Sequence, residues 1–305
     1  MRIVLVGQAA FGEAVLQKLV ENGEEVIAVF CPPDPPGGRG NPLRERAEQL
    51  GIPVFQPKHM RDPEVYQEFA KLQPDLNVLA FVTDIVPQRI LDLPRLGSIQ
   101  YHPSLLPLHR GGSAINWAII NGETKTGLSI FWVDRGIDTG PVLLQKEVEI
   151  GPDDTVGSLY FNKLFPLGVA AMAEAVQLVE EGKAPRIVQD ESRATYEPLC
   201  RENNATIDWS RPYQQVYNFI RGNNPSPGAT TFLAGKKVKI FDAEARPGVV
   251  GAPGEVVEIG QAGFIVAAAG GGILAKRVQP EGSGKIKAPE FAQAVGLKAG
   301  DRLGQ

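Results

Sequence analysis

Cysteine is almost absent from this chain: Cys31 and Cys200 are the only two in 305 residues, far apart and without metal-ligand spacing. Two such residues give no disulfide framework, and they fit a reducing compartment. Histidine is nearly as scarce, with only His59, His102 and His109, none grouped with cysteines or carboxylates at ligand spacing, so no metal is expected. Long apolar runs are missing too. The start, Met1 to Gly7, is too short an apolar run for a signal peptide, and no later segment reaches membrane-spanning length. A cytoplasmic protein without a membrane partner is expected. Positive charge is not in excess: 31 Lys and Arg face 35 Asp and Glu, a formal net charge of −4. There is then no whole-chain attraction to a nucleic-acid backbone and no DNA partner is expected, although a local basic patch stays open.

A chain of 305 residues exceeds the size at which one hydrophobic core usually keeps growing, so two domains are the default. Ile3–Val6 reads as a short buried strand, followed by a glycine-containing turn, a helix carrying Leu16, Leu19 and Val20, and a second strand at Val26–Phe30. Strand, helix and strand within thirty residues form a parallel crossover unit. Residues 32–43, rich in proline and glycine, must be an exposed loop, with Arg39 at its tip. Further strands are expected at Leu76–Ala80, Gly97–Tyr101, Gly127–Val133 and, at an edge, Val142–Val148. Asp153-Asp154-Thr155 should supply the N-cap of a helix running to Glu181 and kinked at Pro166. After about residue 186 a polar stretch leads to short β-rich runs divided by glycine, in the manner of a small barrel. The expected fold is α/β: a doubly wound, mostly parallel, Rossmann-like sheet over 1–186, a linker at 187–205, and a smaller OB-like β-barrel domain at 206–305.

Gly7-Gln8-Ala9-Ala10-Phe11-Gly12 lies between strand and helix and nearly spells a dinucleotide fingerprint. Ala9 replaces the glycine that lets backbone approach a pyrophosphate, and the second strand ends in Phe30-Cys31-Pro32-Pro33 without the ribose-binding acid. A nicotinamide cofactor, NAD or NADP, is therefore not expected. The glycines serve tight packing better, while the helix N-terminus could still attract an anionic acceptor.

His102 ends a buried strand and opens the proline-bounded loop Pro103-Ser104-Leu105-Leu106-Pro107. Ligands of doubly wound sheets sit outside the carboxyl ends of strands, where this histidine stands. A lone histidine there is more often structural, since functional ones need partners. Asp138, within Gly136-Ile137-Asp138-Thr139-Gly140, taken alone is most simply an aspartate holding its own turn.

Together, Tyr101-His102-Pro103-Ser104-Leu105-Leu106-Pro107 and Gly136-Ile137-Asp138-Thr139-Gly140 resemble the folate-dependent formyltransferase family, over nearly the whole chain. The stretches Gly112–Trp117, Ser129–Trp132 and Ile220–Asn224 are most similar to the hydrolase domain of the 10-formyltetrahydrofolate dehydrogenases. Asp34–Gly40 is similar to the corresponding loop of the methionyl-tRNA formyltransferases. The resemblance implies 10-formyltetrahydrofolate as co-substrate, with water or an amine as acceptor. Hydrolysis to tetrahydrofolate and formate is placed ahead of transfer. Methionyl-tRNA transfer is the alternative, and a non-catalytic folate-binding sensor a further one.

The resemblance also assigns roles. His102 would meet negative charge on the formyl oxygen, and Asp138 would orient the imidazole and move protons. Gln100 stands where the transferases carry an asparagine, one methylene longer, which disfavours amine transfer more than deformylation. The folate would lie on Phe81, Val82, Thr83, Asp84, Ile85 and Val86, with Ser104 beside it. The acceptor side would hold Gly7, Phe11, Arg39 and Arg110, the arginine facing an anionic acceptor or the folate's glutamate tail.

Overall fold

The computed structural model describes residues 1–304. The first strand, β1 (Arg2–Gly7), is buried from Ile3 to Val6 because both faces of the sheet are covered, and its sequence is accordingly an unbroken aliphatic run. Helix α1 (Ala9–Glu21) and strand β2 (Glu25–Phe30) complete the crossover, with β2 parallel to β1. Helix α2 (Pro42–Gln49) follows the proline-rich loop, with Pro42 at its first turn and the Asn41 side chain accepting from the Leu43 amide. Strand β3 (Val54–Phe55), helix α3 (Pro63–Leu72), strand β4 (Leu76–Ala80), helix α4 (Gln88–Leu91) and strand β5 (Ser98–His102) follow. Helix α5 (Ala114–Ile120) comes next, and strand β6 (Lys125–Trp132) and strand β7 (Val142–Glu149) complete the larger sheet.

That sheet has seven strands in the order β3-β2-β1-β4-β5-β6-β7. The first five pair parallel and β6 runs antiparallel to β5. From β1 the chain winds outward through β2 and β3, then returns to the other side of β1 with β4. This reversal opens a crevice beyond the carboxyl ends of β1 and β4. Gly7 at the end of β1 must lack a side chain, because a Cβ there would run into the carbonyl oxygen of Ala80 on β4.

The single helix expected after Asp153-Asp154-Thr155 and running to Glu181 is instead two. Thr155 caps α6 (Val156–Leu159) in a reciprocal box with Ser158. One π-helical turn, Tyr160–Leu164, then leads into α7 (Phe165–Glu180). Pro166 thus sits in the first turn of a new helix, where its missing N–H costs little.

The remaining elements are α8 (Tyr213–Gly222), β8 (Ala229–Leu233), β9 (Lys236–Pro247), β10 (Val256–Gly260), β11 (Gly263–Ala268), β12 (Gly271–Pro280), β13 (Ile286–Lys287) and α9 (Ala288–Val295). The strands form an antiparallel sheet, β10-β11-β12-β9-β8, with β13 beside β12. Its two edges are joined by the tail, where Leu303 bridges to Leu233 and Arg302 to Glu255. Trp209, Ile220, Val238, Ile240, Phe264 and Phe291 fill its core.

Two compact units result. One holds residues 1–111, 127–148 and 162–196; the other holds 112–126, 149–161 and the chain from 197 onward. Helix α5 belongs to the second unit, where Asn116 Nδ2 donates to the Gly222 carbonyl over 2.8 Å. Among the described residues no helix is long and apolar enough to cross a membrane.

Candidate active site

A cavity of about 330 Å3 lies beyond the strand ends of the first unit, walled by residues 82 and 84–88, Gln100 and residues 133–138. The 81–87 loop is shaped by Asp84, whose carboxylate accepts from the Ile85 amide over 2.9 Å and the Met60 amide over 2.7 Å. Val82, Asp84, Ile85 and Val86 line this cavity as the sequence led us to expect. Phe81 and Thr83 do not: with Gly7, Gln8 and Cys31 they line a second, smaller space of about 50 Å3. Gln100 and His102, two apart on β5, point to the same side of the sheet, and the Gln100 side forms part of the cavity wall.

His102 is 4% exposed and lies behind that wall. Its Nε2 is 2.8 Å from the carbonyl oxygen of His109, so this nitrogen carries the hydrogen and donates it. Nδ1 stands 3.5 Å from Asp138 Oδ2. The same carboxylate oxygen accepts from the Gly111 amide over 2.8 Å. Asp138 is 8% exposed and its backbone is left-handed, with φ of 57°. A non-glycine residue in that region costs about 1–3 kcal/mol, which the surroundings must supply.

The turn around Asp138 is not held by Asp138. Asp134 does that work, accepting from the Gly136 amide over 3.0 Å and from Thr139 Oγ1 over 2.6 Å. The Asp138 carboxylate is thereby left for His102 and Gly111. Gly140 closes the turn so tightly that a Cβ would be driven into the carbonyl oxygen of Trp132.

Several expected site residues serve elsewhere. Ser104 is fully buried and donates to the Leu108 carbonyl over 2.6 Å, while its own carbonyl accepts from Ser129 Oγ over 2.7 Å; it shapes the loop. Phe11 is a core residue, 1% exposed, its ring centroid 4.4 Å from that of Tyr101 and 5.6 Å from that of Phe165. It cannot reach an acceptor. Arg39 is exposed at the tip of the 32–41 loop. The first amide of α1, at Ala9, is already bound to Asn41 Oδ1 over 3.1 Å, which reduces what that helix end can offer an anion.

Arg110 departs furthest from expectation. Its guanidinium is buried and committed: Nη1 and Nη2 donate to the two carboxylate oxygens of Glu191 over 2.9 and 2.6 Å. Nη1 also donates to Tyr196 Oη over 2.8 Å. These hydrogen bonds, Glu191 first, raise its already high pKa and lower that of Glu191. An arginine so occupied has nothing left for a folate tail or an anionic acceptor.

The partners of Arg110 come from residues 187–196, a polar stretch without helical or strand periodicity, and sequence reasoning missed them. Gln189 is the central one, 7% exposed and bonded on both sides of its amide. Among the described residues no group of three or more His, Cys, Asp or Glu could hold a metal. Both thiols are pushed up to about 11, by burial first, with Asp34 next for Cys31 and Glu197 adding to the rise for Cys200.

Over residues 1–176 the sequence matches the family described as formyl transferase, and over 200–296 that described as formyl transferase, C-terminal domain. A methionyl-tRNA formyltransferase of Geobacter sulfurreducens is 41% identical over 310 residues, covering all of this chain and 97% of that protein. The human cytosolic 10-formyltetrahydrofolate dehydrogenase is 47% identical over 248 residues, 80% of this chain but only 27% of that much longer protein. In structure, an N-formyltransferase of Helicobacter canadensis, solved with folinic acid and dTDP-3-aminofucose, superposes with a TM-score of 0.71 at 19% identity over 91% of this chain and 98% of that one, a likeness of fold. On the extent of these matches, the chain belongs to the formyl transferase family.

Proposed function

We propose that the protein takes the formyl group of 10-formyltetrahydrofolate and transfers it to the amino group of methionyl-tRNA, in the cytoplasm. The observation that carries this reading is the end-to-end match to a methionyl-tRNA formyltransferase, over all of this chain and 97% of the relative. It reverses the order drawn from local motifs, which placed hydrolysis first. The pterin would enter the cavity walled by residues 82–88. Residues 1–186 would carry catalysis together with 187–196, which belong to the same unit, and 206–305 would contact the acceptor.

The chemistry fits the wall. The acceptor nitrogen attacks the formyl carbon, whose oxygen gains negative charge in a tetrahedral intermediate. The C–N10 bond then breaks, and a proton lost by the acceptor amine is matched by one gained at N10. The Gln100 amide at the cavity wall is the donor for the oxygen, while the His102 imidazole behind it, held by the His109 carbonyl, orients the Asp138 carboxylate. Asp138, lining the cavity and touching His102, carries the proton.

A second reading, hydrolysis to tetrahydrofolate and formate, is favoured by the higher identity, 47%, to the human dehydrogenase across 80% of the chain. One experiment separates the two. The protein is incubated with 10-formyltetrahydrofolate alone, then with charged initiator tRNA, and formate and formyl-methionyl-tRNA are measured separately. Transfer at least tenfold faster than formate release is expected; formate as the dominant product in both incubations overturns it.

A further inference from the structure

We infer that Gln189 is a positioning residue for catalysis: it holds Asp138 in the backbone conformation that presents its carboxylate to the cavity and to His102. The inference deepens the proposed function and rests on its assignment of the His102–Asp138 pair.

The amide of Gln189 is saturated. Nε2 donates both hydrogens, one to the Asp138 carbonyl over 2.9 Å and one to the Gly140 carbonyl over 2.7 Å. Oε1 accepts twice from Arg110, from Nε over 3.2 Å and Nη2 over 2.8 Å. No other side chain of this reach both donates twice and accepts twice from one planar group, except asparagine, which is shorter. Arg110 is itself fixed by the two-point pair with Glu191, so the orientation of the Gln189 amide is set by a charge-assisted anchor. The turn at Asp138 is therefore pinned at two carbonyls, on either side of Thr139.

The same strap also holds the other half of the pair. Thr195 Oγ1 accepts from the His109 amide over 2.7 Å, and the Thr195 carbonyl accepts from the Arg110 amide over 3.0 Å. His109 is the residue whose carbonyl takes the His102 Nε2 hydrogen, and Gly111 is the one whose amide binds the Asp138 carboxylate. Residues 189–195 thus fix, from one side, the backbone behind both members. Without the Gln189 amide, the left-handed φ at Asp138 has no restraint at its own carbonyl and can relax toward the favoured right-handed region. A carboxylate displaced by about 1 Å costs on the order of a hundredfold in rate.

The test uses the full-length protein with 10-formyltetrahydrofolate, both with charged initiator tRNA and with water as sole acceptor, reading kcat, KM for the folate and thermal midpoint. Gln189→Leu is expected to lower kcat about 10- to 100-fold with the folate KM within about threefold, since the 82–88 wall is untouched. Gln189→Glu keeps the acceptor for Arg110 and removes only the two donors to the turn. It should not recover kcat, because a carboxylate has no hydrogens for the two carbonyls. If kcat follows the thermal midpoint in both variants, or if Gln189→Leu turns over at the wild-type rate, the inference is wrong. Should Gln189→Leu not fold, Glu191→Gln loosens the same anchor from its exposed end; a kcat loss of about two- to tenfold at unchanged KM supports the inference, and none overturns it. Asp138→Asn separates the two claims. If it abolishes turnover while the Gln189 variants remain active, only the positioning role fails; if it turns over normally, the catalytic pair fails and this inference with it.

Discussion

His102 and Asp138 illustrate how little of a residue's role lies in the residue. Each is buried, and each spends part of its hydrogen-bonding capacity on a neighbouring backbone group. Replacing either by alanine should lower turnover by on the order of 10²-fold or more while folate affinity stays within a few-fold, because both act on charge that develops only in the transition state. The double variant should be little worse than either single one, as expected of groups that act as a unit. Single-turnover rates beside equilibrium folate titration check this, and additive losses would refute it. Gln100 stands at the cavity wall beside Asp138. Gln100→Leu should reduce transfer about 10²-fold, the usual cost of an oxyanion donor; a loss under tenfold in the same assay would show that Gln100 is not that donor. The two thiols give a pH-dependent prediction. Burial pushes Cys31 and Cys200 up to about 11, so both stay neutral in the folded protein where unfolded thiols begin to ionise. Folding stability from this source is intact below the unfolded pKa and is lost as pH rises through about 11. Alkylation at pH 8 should accordingly be slow in the native protein and fast after unfolding, which timed labelling with a haloacetamide measures.

At the scale of elements, the site depends on turns more than on helices or strands. The 134–140 turn is closed by Asp134 inside, by Gln189 outside, and by the tight approach of Gly140 to Trp132. Gly140→Ala should force that approach open, lowering both the thermal midpoint and kcat, and calorimetry with steady-state kinetics would show it. A change in only one of the two would mean that the turn can open without moving Asp138. Helix α7 shows the opposite economy. Its break at the π turn was not legible in the sequence, because proline announces where a helix cannot continue unchanged but not whether the chain kinks or restarts.

For the whole molecule, the outstanding property is the acceptor. Lys236, Lys237 and Lys239 stand together at the start of β9, and Glu202 pairs with Lys237 and Lys239. If the acceptor is a tRNA, each phosphate contact made there releases counterions, so formylation of charged initiator tRNA should weaken steeply between about 50 and 200 mM salt while formate release from the donor alone hardly changes. Lys237→Ala and Lys239→Ala together should flatten the salt slope by about two. A salt-independent rate would exclude a polyanionic acceptor at this patch and return hydrolysis to first place.

The parallel crossover at the amino terminus, the exposed proline-rich loop, the strand carrying His102 and the β-rich character of the last hundred residues were all determined by sequence alone. Each follows from a local cause: an unbroken aliphatic run, a density of proline and glycine, or an alternation between glycines. Motif resemblance likewise marked His102, Asp138 and the 81–86 loop, of which Phe81 and Thr83 turn to the smaller space. Only the tertiary structure decided which neighbours those residues have. It turned Arg110 from a free cation into a buried anchor, put Phe11 and Ser104 into the packing, and gave Asp134 the turn that Asp138 would otherwise have held. Above all it brought residues 189–196 against His109, Arg110 and Asp138 across 49 to 86 positions of sequence. Contacts between a side chain and a distant backbone carbonyl leave no period and no composition in the chain, so only folding reveals them.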